Sequence, residues 1–136
     1  KAMEQRIGNA FGPLDPAGAI AAECWADCQK KLKLVDQNWD RFVSVVADWK
    51  SHAREFGKMV QPSEILRPTL KASGSPATFA DLNPAISPDL AHWAVKHCHL
   101  MRNRFNLVDL LDMMGLWTED MIAWAMEGSV SRKAAA

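Results

Sequence analysis

The residues best equipped for chemistry fall in one short stretch: His97, Cys98 and His99, then Arg102, Asn103, Arg104, Phe105 and Asn106, then Asp109 and Asp112. Imidazoles, a thiol, guanidiniums and carboxylates are the groups that ligate metals, carry protons and grip anions. Spacing narrows the options. His97 and His99 are two positions apart, so on a continuous helix they would point about 200° away from each other and could not share a metal. His97 falls instead in the series Leu90, Trp93, His97, Leu100, Arg104, which is the spacing of a core-facing stripe and favours a hydrogen-bonded core histidine. His92 and His99 share a side but stand two helical turns apart, and His52 is expected to face solvent.

Two readings stand for the basic pair in this stretch. Arg102 and Arg104 are expected at a helix C-terminus, where cations offset the helix dipole, with Asp109 and Asp112 opening the next helix. The favoured reading is a structural clasp of Arg102 and Arg104 with Asp109; the other is contact with an anion beside the N-cap Asn106, although no Gly-rich loop accompanies it. Under the clasp reading, replacing Arg104 should chiefly lower stability.

Cys24 and Cys28 lie four apart, hence on one helix face, and could offer two thiolates to zinc. A structural zinc site needs four ligands and no second cysteine pair exists, so small thiols buried on an Ala-rich face are the favoured explanation. The six tryptophans and seven methionines suggest a ligand box, yet their helical spacing points to core packing. Any of Met113, Met114, Trp117, Met121 and Trp124 left exposed would mark a surface that meets another domain or subunit. Neither a nucleophile-elbow serine nor a phosphate-binding Gly-rich motif occurs. No catalytic, cofactor-binding or metal-ligating residue is therefore assigned.

The elements that must position these residues read as helices, since period-two alternation is absent and Tyr does not occur. The spacing predicts a helix from Ala2 to Ala10, closed by Gly12 and Pro13. A second starts with Asp15 as N-cap and Pro16 as first residue and runs to about Leu32, with Lys30, Lys31 and Lys33 complementing its negative end. Val35, Trp39, Phe42, Val46, Trp49, Ala53 and Phe56 form one stripe of a long helix ending near Gly57. Ser63 to Ala72 tolerates Pro68 near its first turn, and a short helical turn follows Thr78. Ser87 and Pro88 open a helix through about Asn103, Asn106 caps Leu107 to Met114, and Thr118 caps a last helix ending at Glu127 before Gly128. The expectation is an all-α fold of about six or seven helices in one domain over residues 1–128, with a tail over 129–136.

Composition bounds the function. With 136 residues, 49% of them hydrophobic, one compact domain can bury roughly 68% of its unfolded surface. Basic and acidic residues balance at 16 each, which leaves no electrostatic footprint for nucleic acid or an anionic membrane surface. No apolar run reaches the roughly 18 residues of a membrane span, no signal peptide is evident, and three sparse cysteines suit a reducing compartment. A soluble, cytoplasmic chain is expected. It begins with Lys1, in keeping with a piece of something longer.

From Pro62 onward the order of features resembles a known family. Pro62-Ser63-Glu64-Ile65-Leu66, then Leu70-Lys71-Ala72-Ser73-Gly74-Ser75-Pro76, then Leu100-Met101-Arg102-Asn103-Arg104-Phe105-Asn106-Leu107-Val108-Asp109-Leu110 are similar to the C-terminal helical region of the sn-glycerol-1-phosphate dehydrogenase group. That group lies within the iron-containing alcohol dehydrogenase-like superfamily, which includes glycerol dehydrogenase and dehydroquinate synthase-like proteins. Phe11-Gly12-Pro13-Leu14-Asp15-Pro16 and Ala22-Glu23-Cys24-Trp25 resemble some bacterial members. Asn106 departs from the pattern, since the family commonly has Thr there; both residues cap helices.

The resemblance implies an irregular helical bundle that forms the C-terminal part of an NAD(P)-dependent, Zn- or Fe-dependent polyol or polyol-phosphate dehydrogenase. Its partners would be the N-terminal dinucleotide-binding domain and the metal-binding helices of the same protein, in a parent compatible with a homo-oligomer. The relatives' metal ligands precede the region that matches this chain, so the fragment itself is expected to hold no cofactor, to be inactive alone and to act as scaffold. The alternative from a different class is a free-standing helical interaction module whose Trp- and Met-rich face binds a partner helix. A small metal-binding helical protein using Cys24, Cys28 and a histidine is the third reading.

Overall fold

The computed structural model describes residues 1–127; Gly128 and the expected tail over 129–136 lie outside the described residues. The described residues are all-helical, with no strand among them. In chain order the helices are α1 (Ala2–Phe11), α2 (Ala19–Gln37), α3 (Trp39–Ala47), α4 (Trp49–Met59), α5 (Ser63–Ala72), α6 (Pro88–His97), α7 (Leu107–Met113) and α8 (Glu119–Glu127), with 3-10 turns at Phe79–Asp81 and Cys98–Met101. Only Asp48 separates α3 from α4, so counting that pair as one bent helix gives the expected seven.

Local chemistry explains most boundaries, including those that differ from expectation. Asp15 does cap α2, but from a distance: Pro16, Ala17 and Gly18 form a turn closed by the Gly18 amide on the Asp15 carbonyl. Gly18 takes φ 76°, a left-handed value that glycine adopts without strain, and the Asp15 carboxylate then accepts from the Ile20 amide at 2.6 Å. Helix α2 therefore starts at Ala19 rather than Pro16. It also runs past Leu32, because nothing stops it before Asn38, whose side-chain amide donates to the Leu34 carbonyl. Lys30, Lys31 and Lys33 thus lie inside the helix and not at its negative end.

The long stripe from Val35 to Phe56 is divided by Asn38 and Asp48, both poor helix formers, between α2, α3 and α4. Pro68 stands in the second turn of α5 rather than the first, which deprives the Glu64 carbonyl of its helical donor. Helix α6 ends at His97 and tightens into the 3-10 turn, six residues short of the expected Asn103. Ser87 accepts from the Leu90 amide at its start, as a capping residue should.

The contacts gather in two units. In the first, Lys1–Phe42 with Lys96–Thr118, α1 packs on α2, and the 3-10 turn at Cys98–Met101 packs on both α2 and α7. Its buried apolar residues are Ile7, Ala10, Phe11, Cys24, Cys28, Leu100 and Leu110. Phe42 meets Phe105 edge-on at 5.8 Å between ring centroids. In the second unit, Val43–Val95 with the chain from Glu119, Trp49 and Phe56 lie 6.1 Å apart, Ala91 and Ile122 are buried, and His92 Nε2 is 3.0 Å from Glu119 Oε2. Among the described residues no helix is long and apolar enough to cross a membrane.

Candidate functional site

The polar residues of the first unit converge on a cluster built from four elements. Asn106 supplies its foundation, because the chain must turn from the 3-10 segment into α7 and leave the first amides of that helix without helical partners. Asn106 Oδ1 accepts from the amides of Val108 at 2.8 Å and Asp109 at 3.2 Å, while Asp109 Oδ2 accepts from the Asn106 amide at 2.9 Å. This reciprocal capping box fixes Asp109. Its other oxygen, Oδ1, is free to turn inward.

Lys31 meets it there. The Lys31 ammonium, 3% exposed, donates to Asp109 Oδ1 at 2.5 Å and to the His99 carbonyl at 2.6 Å. An ammonium taken out of water needs a paired carboxylate and further hydrogen bonds to offset its lost hydration, and this one has both. One turn along α7, Asp112 accepts from both Arg6 guanidinium nitrogens, at 2.6 and 2.8 Å. Residues from α1, α2 and α7 are thereby joined across the 3-10 turn that carries His99.

The electrostatic directions follow from this packing. Burial pushes the Asp112 carboxyl up, but the hydrogen bonds and charge of Arg6 outweigh it and hold the group below the usual carboxylate range. The hydrogen bonds to Asp112 push the Arg6 guanidinium up against its own partial burial. Burial pushes His99 down despite the two nearby carboxylates, so the imidazole is neutral. Burial also raises the thiols of Cys24, Cys28 and Cys98, which disfavours the thiolate that nucleophilic attack or metal ligation requires.

The residues singled out by sequence land unevenly. Asp109 is in the cluster and buried, whereas Arg102 and Arg104 are exposed and have no ion-pair partner among the described residues. The clasp exists, but Lys31 and Arg6 are its cations. Cys24 and Cys28 are buried as small core thiols, matching the favoured reading. His97 and His52 are half-buried, so His52 does not stand wholly in solvent. The aromatic packing is looser than its spacing suggests: Trp39 and Trp124 are exposed and the other four tryptophans are half-buried. Met113 and Met114 are exposed too.

Lys31 had a signal that sequence reasoning passed over. With Cys24 and Cys28 it follows the steps of four and three of a buried stripe, so a lysine there implied a buried anion elsewhere in the chain. Arg6 carried no such mark.

No group of three or more His, Cys, Asp or Glu side chains able to hold a metal occurs among the described residues. The charged members of the cluster instead pair with one another. Comparison with family models, with curated proteins and with solved structures finds no match to this chain.

Proposed function

We propose that this chain is the C-terminal helical part of an NAD(P)- and metal-dependent glycerol-1-phosphate or glycerol dehydrogenase-like oxidoreductase of the cytoplasm, and that it serves that enzyme as scaffold. The observation that carries the reading is the destination of its ionisable groups: Lys31, Asp109, Arg6 and Asp112 all spend their charge holding helices together. A scaffold needs rigidity at its joints and apolar surface to present to the rest of the protein. Phe56, Met59, Ile65, Leu66 and Leu70, exposed along α4 and α5, and Val60 between the two helices are such surface.

On this reading the missing partners are the dinucleotide-binding domain and metal-bearing helices of the same protein. The whole enzyme would transfer hydride between a nicotinamide and a polyol or its phosphate, and the metal would polarise the substrate oxygen. The residues of this chain contribute positioning.

The coding sequence upstream of Lys1 tests the proposal. A Gly-rich strand-turn-helix followed by an Asp and two His ligands is the expected finding; a start codon immediately before Lys1 would overturn it. The isolated chain should show no NAD(P)-dependent oxidation of glycerol or glycerol 1-phosphate, and measurable turnover would refute the scaffold role.

The exposure of Trp39, Met113, Met114 and Trp124 favours a second reading, a free-standing helical module that binds a partner helix. Tryptophan emission that shifts to the blue on adding a partner other than the parent enzyme's own domains would support it.

A further inference from the structure

Helix α5 has ten residues and buries none of them: Ser63 is half-buried and the rest are exposed. A helix shorter than about 12–15 residues is marginal in water without tertiary packing, and Pro68 removes one of its hydrogen bonds. Its sequence is nevertheless arranged for burial. Ile65, Leu66 and Leu70 fall within one arc of about 140°, and Arg67 and Lys71, each one position beyond a leucine, form the basic edge of that arc.

The complementary charge is on α8. That helix carries Glu119, Asp120 and Glu127 and no cation. Asp120, Trp124 and Glu127 follow steps of four and three and so share a face, and all three are exposed, Trp124 to 55%. The result is an acidic stripe with an apolar centre, the counterpart of the basic-edged arc on α5. Both helices belong to the second unit, and both surfaces stand exposed in the single chain, so neither is covered within it. None of Arg67, Lys71, Asp120 and Glu127 has an ion-pair partner among the described residues.

We propose that α5 of one copy of this chain docks against α8 of a second copy, with a two-fold axis repeating the contact. Ile65, Leu66 and Leu70 then meet the Trp124 indole, while Arg67 and Lys71 face Asp120 and Glu127. Two-fold pairing uses each surface once per chain and closes, leaving no basic arc or acidic stripe unmatched. Each contact has a tryptophan at its centre, the side chain with most apolar area to bury and one that commonly anchors interfaces. The inference goes beyond the scaffold role and does not depend on it. In the parent enzyme it would be a contact between subunits, which leaves Phe56, Met59 and Val60 for the upstream domains.

Sedimentation equilibrium of the full chain tests this. A two-chain species should grow with protein concentration and dissociate as salt is added, because salt screens the exposed charges. Arg67→Glu with Lys71→Glu, and separately Asp120→Lys with Glu127→Lys, should each raise the dissociation constant at least about tenfold, since like charges then face each other. An equal mixture of the two variants should regain wild-type association, because acid again faces base at both contacts. Circular dichroism should match wild type in both, all four side chains being exposed; should a reversal disturb folding, Arg67→Gln with Lys71→Gln makes the comparison more mildly. A chain that stays single at every concentration, with or without binding to anionic lipid vesicles, would overturn the proposal. So would a dimer that neither reversal weakens, or a mixture of well-folded variants that fails to pair.

Discussion

Lys31 and Asp109 stand 78 positions apart in the chain and meet as a buried ion pair, with Nζ 2.5 Å from Oδ1. One partner rises from the middle of a long helix and the other is held by a capping box, so the contact ties the first third of the chain to the last. Its energetic value is asymmetric. Exchanging both charges for apolar groups can be close to neutral, but removing one strands the other in the interior.

That asymmetry gives the first prediction. Lys31→Met should lower unfolding free energy by about 3–5 kcal/mol, and Asp109→Leu by a similar amount, plus roughly 1 kcal/mol for its capping box. The double variant Lys31→Met with Asp109→Leu should be more stable than Lys31→Met alone, less roughly 1 kcal/mol for the lost capping box. Urea denaturation of the three variants measures this. Additive losses would show that the two residues do not interact.

The arginines give a contrast. Arg104, exposed and without an ion-pair partner among the described residues, should tolerate Arg104→Ala with a change within about 0.5 kcal/mol, contrary to the expectation from sequence that it anchors a clasp. Arg6→Ala should cost more, roughly 1 kcal/mol, since it breaks a bidentate pair and leaves the less exposed Asp112 behind. Thermal unfolding of the two variants decides the order, and a larger loss from Arg104→Ala would restore the clasp reading.

Local signals proved legible where one residue sufficed to set them. Asn106, Ser87 and the span of α5 could be read directly, because an N-cap acts on amides two or three residues away. The start of α2 could not, since Asp15 reaches its amide only after Gly18 takes a left-handed turn. The site was legible on its side from His99 to Asp112, where Asn106, Asp109 and Asp112 could be placed at the start of α7, but not in its cations. Which cation would meet Asp109 depended on how α1 and α2 pack against α7, and two nearby arginines looked like better partners than a lysine 78 positions away.

The cap itself can be tested by exchange. Asn106→Ala should cost about 1 kcal/mol, and Asn106→Thr, which keeps a side-chain acceptor, only a few tenths. Gly115, at φ 70°, ends the same helix, and Gly115→Ala should cost about 1–2 kcal/mol through left-handed strain alone. Chemical denaturation of each variant reads the effect; equal losses from the Ala and Thr replacements at 106 would mean that the hydroxyl cannot reach the Asp109 amide.

Thiol chemistry should follow burial. Cys24 and Cys28 are buried and their thiols are pushed up, so both should resist alkylation in the native state and react fully in denaturant, with half-buried Cys98 modified first. Mass spectrometry after a brief iodoacetamide pulse at pH 8 gives the order. Early labelling of Cys28 would indicate that the cluster opens readily.

Acid should undo the cluster in two stages. His99 is pushed below its unfolded value of 6.5, so as pH falls through that value the unfolded chain takes up a proton that the folded chain refuses. The stability His99 contributes is therefore complete above about pH 6.5 and declines as pH drops toward the folded-state value. Asp112 acts later and by the same linkage: its folded pKa also lies below the unfolded value, here 3.8, so its contribution is present above that value and lost as pH falls through the folded one. Unfolding free energy measured from pH 8 to pH 3 should show the first decline near 6.5. Substituting His99→Phe should flatten that decline and leave most of the steeper loss below pH 4, which Arg6 chiefly sets, and should Phe not fit the site, His99→Gln serves the same comparison. A wild-type curve level between pH 7 and pH 5 would mean that His99 is not held neutral by burial.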